Sequence, residues 1–242
     1  MSDPSALTAL IFDLDGVLVD SRVPITACLN HALAEVGLAA EPEAALRRWI
    51  GPPLREAFTV LLAERGADPA LTDVCVEHYR ARYGSVSLTE TRVMPGIEEA
   101  LAALAPHYRL AVATSKPAAF AVPILDRLGL AGWFRSLAAA PLVDTHAEPK
   151  SATVARALAG VGLGPPAAGA PPSAAMIGDR HLDVEAGRRW GLLTIGVTWG
   201  IGDVAELRGA GADLLVASPG ELTARLAEAR ARAAPSATPR RA

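Results

Sequence analysis

Two patterns of apolar and polar positions divide this chain. Ala9 to Phe12 are uninterruptedly apolar, as in a strand buried on both faces. The run stops on two acids, Asp13 and Asp15, and Gly16 then permits a backbone turn that a side chain would resist. From Pro24 the period becomes helical. Ile25, Cys28, Leu29, Ala32, Leu33 and Val36 form one stripe that Gly37 closes. A second helix is expected over 43–50, where the turn Gly51-Pro52-Pro53 interrupts it. Leu54, Ala57, Phe58, Leu61 and Leu62 make a third stripe, and Leu71, Val74, Cys75, His78 and Tyr79 begin a fourth that runs to about 86. Four amphipathic helices in succession predict a small bundle.

The regime changes at Met94-Pro95-Gly96. Short apolar runs at 110–113, 136–139, 174–177, 193–197 and 214–216 now alternate with helical stripes at 97–104, 120–128, 151–161, 182–190 and 220–232. This alternation predicts an α/β fold, a doubly wound parallel sheet covered on both faces. The four-helix bundle is then an insertion between the first strand and the first core helix. The expected division is a core of residues 1–21 and 94–232, a helical insertion of 22–93, and a disordered tail of 233–242. The Gly-, Pro- and Ala-rich stretch 164–172 is expected to be a surface loop.

Composition narrows the function. The 242 residues carry a net charge of −3, which gives no electrostatic basis for nucleic-acid binding. No apolar run approaches the roughly 20 residues of a membrane span, and the first residues lack a signal-peptide pattern. A cytoplasmic protein without a membrane partner, monomer or homodimer, is the expectation, with Cys28 and Cys75 as buried, reduced thiols. Basic residues are arginines except for Lys116 and Lys150. A lysine retained against that background suggests a position where a compact charge matters.

Two acids at the end of a buried strand are costly unless something positive compensates them. A divalent metal or a phosphate-handling site would do so, and open parallel sheets bind ligands beyond the carboxyl ends of their strands. Three further segments bring polar residues to that edge: Thr114-Ser115-Lys116, Lys150 at a helix start, and Gly178-Asp179-Arg180-His181-Leu182-Asp183.

Asp13-Leu14-Asp15-Gly16-Val17-Leu18-Val19-Asp20-Ser21 resembles the first motif, DxDGxLxDS, of the haloacid dehalogenase superfamily of phosphatases. The three downstream segments resemble its second, third and fourth motifs, in order. The resemblance implies a Mg²⁺-dependent phosphomonoester hydrolase with a helical cap over the site. It assigns Asp13 as nucleophile, forming an aspartyl-phosphate, and Asp15 as general acid and base. Asp13, Asp179 and the backbone carbonyl of Asp15 would be metal ligands, with Asp183 orienting them from behind. Thr114, Ser115 and Lys150 would hold the phosphoryl oxygens.

Lys116 either faces the site or caps solvent, and Asp20-Ser21 reads as a helix N-cap. Gly51 and Pro52, with Arg55 one turn on, are candidate substrate contacts from the cap. The stretches 50–54 and 195–200 resemble the phosphoglycolate phosphatase branch, so the partner expected is a small phosphorylated substrate. A 5'-nucleotidase and a β-phosphoglucomutase-like mutase remain alternatives within the superfamily. A phosphonoacetaldehyde hydrolase would need a cap lysine, which residues 22–93 lack. A non-enzymatic receiver-type phosphate sensor is the alternative of another class.

Overall fold

A computed structural model describes residues 6–142, 148–164, 170 and 172–233. The expected tail, apart from Ala233, and most of the expected loop at 164–172 lie outside the described residues.

The first apolar run forms β1 (Ala9–Phe12), followed by the two-residue strand β2 (Val19–Asp20). Helices α1 (Arg22–Glu35), α2 (Glu43–Leu46), α3 (Leu54–Glu64) and α4 (Leu71–Glu90) come next, and β3 (Arg92–Val93) returns antiparallel to β2. The chain then alternates through α5 (Ile97–Leu104), β4 (Arg109–Pro117), α6 (Ala118–Arg127), β5 (Ser136–Ala140) and α7 (Lys150–Gly160). It ends with β6 (Ala174–Gly178), α8 (His181–Arg189), β7 (Leu193–Val197), α9 (Val204–Gly209), β8 (Leu214–Val216) and α10 (Pro219–Ala233).

Six strands form one sheet in the order β5-β4-β1-β6-β7-β8, every neighbouring pair parallel. This is the doubly wound sheet that the alternation predicts. Its chain path starts at β1, moves to one side through β4 and β5, then crosses back to β6 on the other side. The reversal leaves a crevice at the carboxyl end of β1, where such sheets bind ligands.

Side-chain alternation along β1 separates two cores. Leu10 and Phe12 face a cluster with Leu101, Ile124, Leu125 and Leu222, under α5, α6 and α10. Ala9 and Ile11 face Val154, Ala157 and Leu158 of α7 and Ala186 of α8. The second face is alanine-rich, so its helices pack close. A Cβ at Gly187 of α8 would sit 2.8 Å from side-chain carbons of both Met176 and Thr194.

Helices α1 to α4 carry a third apolar cluster of their own, centred on Leu29, Leu33, Phe58, Leu61, Tyr79 and Tyr83. The second expected helix is split, with α2 giving way to a tight 3-10 turn over Arg47–Trp49 before Gly51. The β2–β3 ribbon and α9 were not legible as periodicity, because two and six residues are too short to show a period. Strand β4 runs on through Thr114, Ser115 and Lys116, which the pattern places just after it; its pairing with β5 slips register between Thr114 and Pro117.

Phe58 is fully buried and packs edge-on against Tyr79. Phe58→Ala should lower stability by about 3–5 kcal/mol, as ring deletions in packed cores do. Urea denaturation checks this, and a loss below about 1 kcal/mol would mean that the helical layer contributes little to the measured transition.

Candidate active site

Asp13 and Asp15 stand where β1 leaves the sheet. Asp13 still donates its N–H to Ile177 O of β6 at 2.9 Å, so the first acid is fixed by sheet pairing. The turn behind it closes through Leu18 and Val19 N–H groups on Leu14 O, both at 3.0 Å, and Gly16 N–H on Val19 O at 2.8 Å. Gly16 has φ +85°, and a Cβ there would lie 2.1 Å from Asp179 Oδ2. Both the left-handed backbone and the contact require glycine.

Lys150, the first residue of α7, reaches Asp13 Oδ1 at 2.7 Å and Asp183 Oδ1 at 2.8 Å. Asp183 Oδ2 also accepts the Arg180 N–H at 3.2 Å. Asp179 is fully buried; its Oδ2 accepts the Ile201 N–H at 2.7 Å, while its Oδ1 has no hydrogen-bond partner among the described residues. The loop that supplies Ile201 is pressed onto this acid. A Cβ at Gly200 would fall 2.4 Å from Asp179 Oδ2, and one at Gly202 would fall 1.9 Å from Asp179 O. Trp199 ties the same loop to the first turn by donating Nε1–H to Val17 O at 3.1 Å. Trp199 and Gly200 of this cradle lie in the stretch 195–200 that resembles the phosphoglycolate phosphatase branch, whereas Ile201 and Gly202 carry no motif signal.

Carboxylate oxygens of Asp13, Asp179 and Asp183 lie within 4.8 Å of one another. Burial raises the Asp13 pKa to about 7; the Lys150 ammonium opposes that rise and Asp183 reinforces it. Asp179 is raised well above its ordinary value, first by burial and then by Asp183 and Asp13. For Lys150 burial works downward, but the Asp13 and Asp183 carboxylates outweigh it and hold the ammonium charged. Two of the three buried acids thus share one cation, and the cluster remains short of positive charge. An all-oxygen cluster with an orphaned carboxylate oxygen fits a hard divalent cation such as Mg²⁺. The sequence reading set Asp183 behind the ligands; the structure places it level with them, while also binding Lys150.

The Asp15 side chain turns away from this cluster. Its Oδ1 accepts the Ser21 hydroxyl at 2.5 Å, and its Oδ2 lies 3.0 Å from Lys116 Nζ. Ser21 therefore does not cap α1 through its side chain as expected, because its hydroxyl is held by Asp15. Asp20 instead pairs with Arg22 at 2.6 Å. Lys116 is turned into the site, donating to Tyr83 Oη of α4 at 2.7 Å. Thr114 Oγ1 accepts the Lys116 N–H at 3.1 Å, and Thr114 and Ser115 line the cleft above Asp13.

The helical layer roofs that cleft with Gly51 and Pro52. Arg55, the third expected cap contact, does not line it; the guanidinium pairs with exposed Asp73 of α4 on the outer side of the layer. One residue beyond Leu54, which lines the cleft, the rotation of α3 turns Arg55 off it. Residues that sequence reasoning missed join the two layers at this edge. Arg180 donates Nη1–H to Ile50 O at 2.5 Å and pairs through Nε with Glu206 Oε1 at 2.8 Å. His181 is bound to the same Glu206 oxygen, by its backbone N–H at 2.9 Å and its ring Nδ1 at 2.7 Å.

The family model described as haloacid dehalogenase-like hydrolase matches residues 10–197. A 5'-nucleotidase of Pseudomonas aeruginosa is 37% identical over 200 residues, covering 82% of this chain and 86% of the relative. A phosphoglycolate phosphatase of Agrobacterium fabrum is 37% identical over 202 residues, covering 80% and 82% respectively. The crystal structure of a predicted phosphatase from Clostridium acetobutylicum superposes with a TM-score of 0.82 at 32% identity, covering 93% of this chain and all of that one.

The buried acids make a pH prediction for the metal-free protein. An acid whose folded pKa is raised stabilises the fold below its unfolded value, near 4, and loses that contribution as pH rises through the folded value. For Asp13 the window is about pH 4 to 7. With EDTA, thermal stability should fall across that window, and added Mg²⁺ should raise the melting temperature more at pH 8 than at pH 5. Equal metal stabilisation at both pH values would contradict this account of the cluster.

Proposed function

The chain belongs to the haloacid dehalogenase-like hydrolase family and is a phosphomonoester hydrolase; from that premise we propose that it is Mg²⁺-dependent, works through an aspartyl-phosphate on Asp13, and acts on a small phosphorylated metabolite. Family membership sets aside the receiver-type alternative. The observation that carries the proposal is the cluster of Asp13, Asp179 and Asp183, two of which, Asp13 and Asp183, bind Lys150, with Asp15 held separately by Lys116 and Ser21.

Asp13, Asp179 and the Asp15 backbone carbonyl would hold the metal, with Asp183 beside them. Bound Mg²⁺ supplies the positive charge that allows an anionic carboxylate to approach an anionic ester. A carboxylate oxygen of Asp13 then attacks phosphorus as the bond to the ester oxygen breaks. The Asp15 carboxyl gives its proton to that leaving oxygen, and afterwards takes one from the water that cleaves the aspartyl-phosphate. Thr114, Ser115 and Lys150 orient the phosphoryl oxygens through donors already in place. The Ser21 and Lys116 contacts keep the Asp15 side chain off the acid cluster, so nucleophile and proton carrier have separate environments.

Residues 22–93 act in this reading as a cap over a core of 1–21 and 94–232, opening for exchange and excluding water when closed. Phosphoglycolate and nucleoside 5'-monophosphates are the substrate types that the relatives' names support. The buried thiols of Cys28 and Cys75 support a reducing, cytoplasmic location.

Asp13→Asn should abolish release of inorganic phosphate and trapping of a phosphoprotein, leaving the fold intact by circular dichroism. Turnover within tenfold of the unmutated protein would overturn the assignment. Phosphate release in step with product alcohol also separates hydrolysis from a mutase, which returns the group to a second hydroxyl.

Asp15→Asn should lower turnover by roughly 10²–10⁴, the worth of positioned acid–base catalysis. The loss should be larger for alkyl than for nitrophenyl esters; equal losses would show that Asp15 is not the acid. Lys150→Ala should cost roughly 10²–10³ in kcat, as removal of an oxyanion donor does, and should tighten Mg²⁺ binding measured by calorimetry, because the ammonium no longer competes for Asp13 and Asp183. Unchanged metal affinity would separate Lys150 from the acid cluster.

A further inference from the structure

The cleft above Asp13 has a wall that phosphoryl chemistry does not require. Tyr79 and Tyr83 of α4 are stacked, ring centroids 5.4 Å apart and 11° from parallel. Phe120 of α6 meets Tyr83 edge-on at 5.3 Å, so the aromatic run crosses from the helical layer to the core. Trp49 and Pro52, before α3, and Leu54, its first residue, line the cleft. The partly open cleft offers about 110 Å³, of the order of the roughly 150 Å³ apolar cavity known to accept one benzene ring.

Its charges are already engaged. Lys116 is bound by Asp15 and Tyr83, Glu148 by Arg156, and Arg80 has a partner within the protein. A leaving group bearing a carboxylate would be desolvated against aromatic rings with no unengaged cation among the described lining residues, an arrangement that costs free energy. A flat apolar ring would gain by covering the same surface, and aromatic pairs add a contribution beyond area alone.

We propose that the substrate's leaving alcohol carries a single flat, apolar or aromatic ring, seated among Trp49, Tyr79, Tyr83 and Phe120, and that this wall sets specificity against small carboxylated esters. The inference rests on the phosphoryl chemistry proposed at Asp13 and narrows its substrate class. Phe120 and Trp49 are specificity residues in this reading, because they touch the leaving group and not the reacting atoms.

The test is kcat/KM of the full chain with Mg²⁺ on benzyl phosphate, ethyl phosphate and 2-phosphoglycolate. All three release alkyl alcohols, so differences report binding of the remainder. Benzyl phosphate should exceed both others by roughly tenfold or more, the scale of burying one ring. Phe120→Leu and Trp49→Leu should each shrink the benzyl-to-ethyl ratio several-fold. Calorimetry on the unmutated protein adds a measurement that needs no turnover and no variant: benzylphosphonate should bind at least tenfold tighter than phosphonoacetate. Phosphoglycolate at or above benzyl phosphate, or phosphonoacetate binding as tightly as benzylphosphonate, would overturn the ring site. Failure of all three esters to react, with benzylphosphonate still bound preferentially, would instead strike the reading of Asp13 and leave the ring site supported.

Discussion

The structure depends on the burial of three carboxylates around one ammonium. Asp13, Asp179 and Asp183 come from two strand ends and a helix, and Lys150 from a fourth element; without that lysine they would repel one another in a medium that screens poorly. Lys150 is charged because its neighbours outweigh its burial, and burial raises Asp13 and Asp179 further than the nearby cations lower them. The imbalance selects what else can enter: a divalent cation would complete the charge. The surrounding glycines follow from the same constraint. At positions 16, 200 and 202 any side chain would occupy space taken by Asp179.

Much of this was legible beforehand, for a physical reason. Ala9–Phe12 and Ala174–Gly178 are apolar throughout because both faces of a parallel strand are buried, so their polar successors mark the sheet edge unambiguously. The acids had to appear there, as nothing else in a buried strand would tolerate them. Contacts made by single side chains across long sequence separations were not legible. Ser21 looked like a cap because its local sequence suits one, and only the fold shows Asp15 within reach of its hydroxyl. Arg55 looked like a substrate contact from its nearness to a proline turn, yet helical rotation sets it against Asp73. Nothing in the spacing of Tyr83 or Glu206 hints at Lys116 or Arg180, since the first pair exists only after the two layers have met and the second only after the core has folded.

The two layers meet through unlike contacts at opposite rims of the cleft. On one side Lys116 and Phe120 engage Tyr83, joining an ion, a hydroxyl and two rings. On the other, Arg180 reaches the Ile50 carbonyl and is steadied by Glu206, which also holds the start of α8 through His181. Arg180 immediately follows Asp179 in the chain, so the contact that grips the roof and the acid in the floor share one stretch of backbone. Roof position and floor geometry are mechanically joined there.

The ribbon of β2 and β3 has a consequence of another kind. Val19 pairs with Val93 and Asp20 with Arg92, so the chain leaves for its helical excursion and comes back through adjacent backbone. The six-stranded sheet takes none of its hydrogen-bonded neighbours from the excursion. A lineage could therefore lengthen, shorten or replace everything between those two crossings while each strand kept its partners. Such an exchange, spliced at the ribbon, would have to keep a carbonyl in reach of Arg180 and a hydroxyl in reach of Lys116, the two places where the layers are joined.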